Sequence, residues 1–187
     1  SNTLSITGGT EDLSYFMSVA HDRNTGIIRD IHGFERMNAR LNVTYQAKDW
    51  LEVKTNFSIT STKSDEPRDR NNVQNPFRAM YDYNPYETKY QVDDDNNILY
   101  DEFGKPLWNL TANGYSISEA IVNNPEDEFS TTILGGINAK ATIAKGLTNT
   151  LQLGATNIRF RRENFLKPNS VLQGYVGDAD NPGAKTD

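Results

Sequence analysis

Apolar and polar residues alternate position by position through much of this chain. Between residues 34 and 48, Met37, Ala39, Leu41, Val43, Tyr45 and Ala47 alternate with Arg36, Asn38, Arg40, Asn42, Thr44 and Gln46. After the pair Asp49-Trp50, Leu51, Val53, Thr55, Phe57, Ile59 and Ser61 alternate with Glu52, Lys54, Asn56, Ser58, Thr60 and Thr62. Side chains of a strand point to opposite faces with period two. The stretch 34–63 is therefore predicted to be a long hairpin with a tight turn at Asp49-Trp50. One of its faces is apolar or small and the other is polar. A helix would need apolar residues three and four apart, and that spacing is missing.

The same period predicts four more strands. Residues 3–9 carry Leu4 and Ile6 on one face, and residues 13–21 carry Leu13, Tyr15, Met17 and Val19 on one face. From Glu128, the residues Phe129, Thr131, Ile133, Gly135, Ile137, Ala139, Ala141 and Ile143 share a face. Past the turn Ala144-Lys145-Gly146, the last strand runs from Leu147 to about Glu163, with Leu151, Leu153 and Ala155 on its apolar face. Beyond Thr156 the faces trade character, because Ile158 and Phe160 alternate with Arg159 and Arg161. A bulge explains that exchange, and so does emergence from an apolar layer.

Residues 64–127 break the pattern. A loop this long inside a domain is normally functional or disordered. It still carries local signals. Pro76 suits the first position of a short helix over 75–81. Tyr90-Gln91-Val92 and Ile98-Leu99-Tyr100 flank an acidic turn like a small hairpin, and residues 117–122 suit another helical turn.

The connections alternate in length. Those at 9–12, 49–50 and 144–146 are short, while those at 22–33, 64–127 and from 164 onward are long. Short periplasmic turns and long extracellular loops are the arrangement of outer-membrane barrels. The expected fold class is thus all-β: antiparallel strands of a transmembrane β-barrel, partial at about six strands, with long extracellular loops containing short helices. Trp50 and Tyr45 suit the periplasmic interface, where amphipathic aromatics are favoured. A soluble or surface-exposed β-sandwich that binds glycans remains the alternative, because its strands alternate in the same way. The Gly, Ala and Thr among the aliphatics suit a lipid face better than a close-packed core. A barrel needs at least about eight strands, so six do not close alone. Neither end looks like a natural terminus, and the chain is expected to be a piece of a longer mature protein.

Composition removes several function classes. Net charge is −6, which argues against a general nucleic-acid binder. The chain has no cysteine and 2 histidines, so thiolate metal sites are excluded and histidine chemistry has few candidates. No apolar run is long enough for a membrane helix, which leaves membrane strands open. Asp93-Asp94-Asp95-Asn96-Asn97 is rich in oxygens but lacks the calcium-loop spacing and its closing Glu. Asp65-Glu66 with Asp69, and Asp101-Glu102, are not established as catalytic pairs by spacing alone. No enzyme activity, metal or cofactor is expected.

Specific residues then narrow the picture. The ordered set Leu4-Ser5-Ile6-Thr7-Gly8-Gly9, Tyr15-Phe16-Met17-Ser18, Gly26-Ile27-Ile28-Arg29, Phe34-Glu35-Arg36, Arg40-Leu41-Asn42-Val43 and Asp49-Trp50-Leu51-Glu52-Val53 resembles the SusC/RagA family. Asn75-Pro76-Phe77-Arg78 and Tyr83-Asn84-Pro85-Tyr86 resemble the loop that follows in that family. These are TonB-dependent outer-membrane transporters of Bacteroidetes-type bacteria. The matching part is their early barrel, just after the plug. The resemblance implies a parent that imports oligosaccharides or peptides across the cell outer membrane. It implies a SusD-like surface lipoprotein as partner, and TonB acting through parts of the parent other than these residues. On that basis Arg36, Asn38, Arg40, Asn42, Glu52, Lys54 and Asn56 are expected to face the lumen. Tyr81, Tyr83, Tyr86, Tyr90, Tyr100 and Trp108 are expected to contact substrate or the cap protein. Both sets also have a plainer reading, as a solvated interior and as packing that orders the loop.

Overall fold

The computed structural model describes residues 1–65, 75–79, 81–84, 86–111, 114–167, 170 and 184–186. Glu66, Asp69, Met80, Pro85 and the stretch 177–183 lie outside the described residues. The strands are β1 (Asn2–Gly9), β2 (Leu13–Asn24), β3 (Phe34–Lys48), β4 (Leu51–Asp65), β5 (Glu126–Ala144), β6 (Leu147–Leu166) and β7 (Ala184–Thr186). Two short helices, α1 (Pro76–Ala79) and α2 (Ile117–Asn123), lie between β4 and β5. The strands form one sheet in chain order. The chain divides into two compact units. The first holds Ser1–Thr25, Gly33–Ser64 and Glu128–Arg161, and the second holds Gly26–His32, Asp65–Asp127 and Arg162–Asp187.

In the first unit the antiparallel register lines up the alternating residues of successive strands. Ile6 sits opposite Met17, Met17 opposite Leu41, and Leu41 opposite Phe57. The next row is Leu4, Val19, Ala39 and Ile59. Directly opposite residues share a face. One side of the sheet is therefore apolar across all four strands. The other carries rows such as Phe16, Asn42 and Asn56, or Ser18, Arg40 and Ser58. A slip of one residue would exchange the faces, so the alternation itself pins the register.

The strands run further toward the long connections than the apolar alternation does. β2 continues to Asn24 through the pairs Asp22 with Arg36 and Arg23 with Glu35. Of these last rungs, Asp22 and Arg36 form an ion pair at 2.7 Å. The short connection at Asp49-Trp50 is entered through a register shift between Gln46 and Lys48. At the β5–β6 turn, Gly146 adopts a φ of +82°, which glycine takes without a steric penalty.

β5 stays beside β4. A Cβ at Gly135 would touch the Phe57 ring at 4.0 Å, and one at Gly136 would meet Asn56 Oδ1 at 2.5 Å. The ring of Phe129 lies 4.9 Å from the Arg161 guanidinium and 5.4 Å from Lys63 Nζ. Leu153 and Ala155 line the apolar side with Phe57 and Ile137. Arg161 thus keeps the parity of Leu153 and Ala155. Emergence from the apolar layer, and not a bulge, explains why Ile158 and Phe160 change sides relative to the aliphatics before them.

No residue of β1 to β6 is buried. Leu4 is 70% exposed, Ile6 54% and Leu153 59%, although all three belong to the apolar face. Uncovered apolar surface on this scale is rare in soluble monomers. The buried residues of the described chain lie instead in the second unit: Tyr115 and Ala120, with the polar Asn75, Thr111, Ser116, Glu119, Asn124 and Ser170.

Candidate functional site

The polar face of the sheet is the first candidate. Arg36, Asn38, Arg40 and Asn42 on β3 share parity with Glu52, Lys54 and Asn56 on β4, so one surface holds all seven. Hydrogen bonds fix part of it. Arg36 Nη2 donates to Asp22 Oδ2 at 2.7 Å, Asn38 Nδ2 donates to Thr60 Oγ1 at 2.7 Å, and Lys54 Nζ lies 3.1 Å from Glu52 Oε1. Arg40, flanked by Ser18 and Ser58, makes no ion pair among the described residues. Asn56 lies against Gly136, where the missing side chain leaves room for its amide. This surface offers donors and acceptors for hydroxyl or peptide groups. Among the described residues, no group of three His, Cys, Asp or Glu side chains comes together to hold a metal.

The loop between β4 and β5 is the second candidate, and it is built from turns. Asn75 Oδ1 accepts from the Phe77 and Arg78 N–H groups at 2.9 and 3.4 Å, starting α1 ahead of Pro76. Ser116 caps α2, with its Oγ accepting from Glu119 N–H at 3.4 Å. Ser116 and Glu119 are spaced as in a capping box, a signal legible in the sequence.

Between the helices lies a three-legged module. Tyr90 bridges Trp108, Val92 bridges Ile98, and Tyr100 bridges Pro106. The expected hairpin is present at Val92 and Ile98, and a third leg at 106–108 joins it. Gln91 N–H donates to Leu107 O, Leu107 N–H to Leu99 O, and Leu99 N–H to Gln91 O, each at 2.9 Å. The three residues are eight apart and close a ring of hydrogen bonds. The turns between the legs repeat the same spacing. Asp93 N–H bonds to Asn97 O, Asp101 N–H to Lys105 O, and the left-handed positions are Asn96 and Gly104.

The Asp93 carboxylate fills its oxygens with protein donors: the N–H groups of Asp95 and Asn97 and the Asn97 side-chain amide. These bonds, led by the Asn97 N–H, hold its pKa below the ordinary carboxylate range. The unfolded chain then binds more protons than the folded one. The contribution is fully present above an ordinary carboxylate pKa of ~3.9 and is lost as pH falls through the lower folded value. Exchange protection of the Asn97 amide is expected to fall over that acid window. Asp93→Asn is expected to abolish this pH dependence. Hydrogen exchange on the loop reads both.

The six loop aromatics divide into two groups. Tyr90 and Trp108 pack with ring centroids 4.9 Å apart, and Lys89 Nζ lies 5.5 and 5.4 Å from the two rings. The Tyr83 hydroxyl accepts from Ile117 N–H at 3.1 Å and donates to Tyr115 O at 3.4 Å. These three order the loop. Tyr81, Tyr86 and Tyr100 are exposed at 91%, 81% and 59%. Tyr115 is a hub that the sequence reading missed. Its hydroxyl donates to the Asp82 carboxylate, and burial first and Asp82 second push its pKa up. Trp108→Ala removes the ring pair and one wall around Lys89. It is expected to cost about 1–2 kcal/mol locally and to speed Gln91 amide exchange roughly tenfold. Unchanged exchange would mean that the pair does not hold the module together.

No protein-family model matches this chain, and no curated protein matches it in sequence.

Proposed function

We propose that this chain is a wall segment of an outer-membrane β-barrel in a SusC-like, TonB-dependent importer of oligosaccharides or peptides, working with a SusD-like surface lipoprotein. The observation that carries the proposal is an apolar sheet face that nothing buries, on strands whose connections alternate between short and long. Between β3 and β4 two residues intervene, and between β2 and β3 nine do. From Met37 to Tyr45 the apolar row spans ~27 Å along β3 at a rise of ~3.4 Å per residue. At a barrel tilt of ~40° that is about 20 Å along the membrane normal, before the girdle side chains extend it toward the ~25 Å of such bands. Tyr15, Tyr45 and Trp50 lie toward the short-turn end, and Phe129 with its two cations lies toward the other. A soluble sandwich would need this face buried against a second layer, and the exposure of its residues does not favour that.

In this reading the mechanism is passage, not bond chemistry. The polar face lines the lumen, and Arg40 and Asn42 offer hydrogen bonds to a passing substrate. Tyr81, Tyr86 and Tyr100 stack on sugar rings or anchor the lipoprotein, because exposed tyrosine gives large contact area at low entropic cost. The test is a strain lacking the parent gene, grown on defined oligosaccharides or peptides as sole nutrient. Growth on one class should fail, as it should in a strain lacking TonB, and the lipoprotein should co-purify with the parent. Unimpaired growth on every substrate, with the protein absent from outer-membrane fractions, would exclude the importer.

A further inference from the structure

The polar face of the sheet carries a depression near the middle of its strands. Gly136 on β5 and Gly154 on β6 leave it unfilled, and its volume is about 400 Å³, within the ~300–1,000 Å³ of ligand sites. Asn56, Asn138, Gln152 and Thr156 stand around it, and Leu134 adds one apolar wall. The side chains of those four polar residues make no hydrogen bond among the described residues. Gly136 abuts Asn56, and Asn56 pairs with Asn42, so Arg40 lies two strands away and one row toward the long connections. That is about 12 Å at ~4.8 Å per strand and ~3.4 Å per residue. The row of Arg40 is otherwise hydroxyls: Ser5, Ser18 and Ser58. Among the described residues no carboxylate balances its charge. Asp22, two rows toward the long connections, is held by Arg36 at 2.7 Å, and Glu52, three rows toward the short turns, lies 3.1 Å from Lys54. Glu126 and Glu128 are farther away, at the start of β5.

We propose that Arg40 and this depression form one subsite for an acidic oligosaccharide, with the guanidinium holding a sugar carboxylate and the depression seating a neighbouring ring. The inference rests on the importer reading above and narrows its substrate class. A carboxamide places a donor beside an acceptor, which matches adjacent sugar hydroxyls, and Asn56, Asn138 and Gln152 supply three of them. Leu134 and the bare backbone at the two glycines receive the apolar face of a ring. A guanidinium gives a carboxylate two parallel hydrogen bonds. Inside a lumen its charge acts with less screening than on an open surface. The Arg40 side chain and one sugar unit together cover the span between the two parts. A peptide would bring an ammonium as well as a carboxylate, and the acids nearest on this face, Asp22 and Glu52, already have cations beside them.

The test uses the full-length protein in detergent and native mass spectrometry. The probes are oligomers of galacturonic acid and of mannuronic acid, the same oligomers with their carboxyls reduced to alcohols, and peptides of matching mass. The wild type should retain an acidic oligomer roughly tenfold better than its reduced form. Arg40→Gln should hold both forms alike, and Arg40→Lys should restore part of the preference. Gly154→Val fills the depression at a position where a Cβ meets only Gly135 O, at 3.8 Å. It should weaken the acidic and reduced forms together. Lys145→Gln, at the β5–β6 turn, should behave as wild type. Circular dichroism establishes that the variants fold. Equal retention of acidic and reduced oligomers would overturn the inference. So would a preference that survives Arg40→Gln, or retention of peptides alone or of no probe. If the protein sits in outer-membrane fractions and its loss stops growth on some substrate, the importer still stands. Absence from those fractions with growth unimpaired would overturn the importer and this subsite together.

Discussion

Leu41→Arg is expected to lower the stability of the full-length protein in phospholipid vesicles by about 2–4 kcal/mol, the range for a charge at the bilayer midplane on a barrel's lipid face. Leu41 lies in the middle of the apolar row, opposite Met17 on one side and Phe57 on the other. Its chain neighbours Arg40 and Asn42 lie on the polar face. Asn42→Arg should therefore stay within about 1 kcal/mol of wild type, although it changes the adjacent residue. Depth provides a second contrast. Ser61→Arg has the parity of Leu41 but lies one row from Lys63, where the penalty should fall to ~0–1 kcal/mol. Urea unfolding in vesicles measures all three. Equal losses at Leu41 and Ser61 would indicate a dry core of uniform depth.

Gly33→Val should break the connection between β2 and β3. Gly33 has a φ of +79°, and a Cβ there would lie 2.0 Å from Asn24 O and 2.9 Å from Thr25 C. Both obstacles are backbone, so no rotamer change relieves them. A β-branched residue adds strain of its own in the left-handed region. The expected loss is about 3 kcal/mol, at the upper end of backbone strain at a single residue. Hydrogen exchange should show it first at the Asn24–Phe34 end of the β2–β3 ladder. Gly26 is the control. Its φ is +69°, but a Cβ there meets nothing within 4 Å. Gly26→Ala should cost only about 1 kcal/mol.

Much of the sheet was legible because its signal is periodic. The alternation at Leu41, Val43, Phe57 and Ile59 determines both the strands and their register, since a slip would put these side chains on the polar side. The strand ends were less legible. Asp22 pairs with Arg36, and His21 with Glu35, near the ends of β2 and β3, which no hydrophobic period reports. The fate of the faces beyond Thr156 was also open in the sequence. The contact of Arg161 with Phe129 settles it, because only the pairing of two distant strands reveals the parity.

The loop shows the opposite balance. Pro76 and residues 117–122 signalled their helices locally. The three-legged module left no hydrophobic pattern, because turn chemistry makes it. Its signature is the recurrence of Asp93 and Asp101 eight residues apart, each followed three residues later by a residue suited to the left-handed conformation, Asn96 or Gly104. That spacing was present in the sequence but carries no meaning until the backbone bonds between legs are seen. The roles of Tyr90, Trp108 and Tyr83 depend on the same long-range closure. Composition gave six aromatics one common reading, and geometry separates three that pack from three that project.

The most direct measurement places single cysteines on adjacent residues of one strand. These 187 residues hold no cysteine, so none of them competes with the introduced label. Fluorophores on Leu41→Cys, Phe57→Cys and Ile137→Cys, and on Arg40→Cys and Asn42→Cys, are read in the full-length protein in vesicles. Quenchers are carried either on lipid chains or in water. Quenching of the first three by the lipid-borne quencher, and of the last two by the aqueous one, is the result a membrane barrel predicts. Labels at Leu41, Phe57 and Ile137 shielded from both quenchers would contradict it and place this face in a dry protein core.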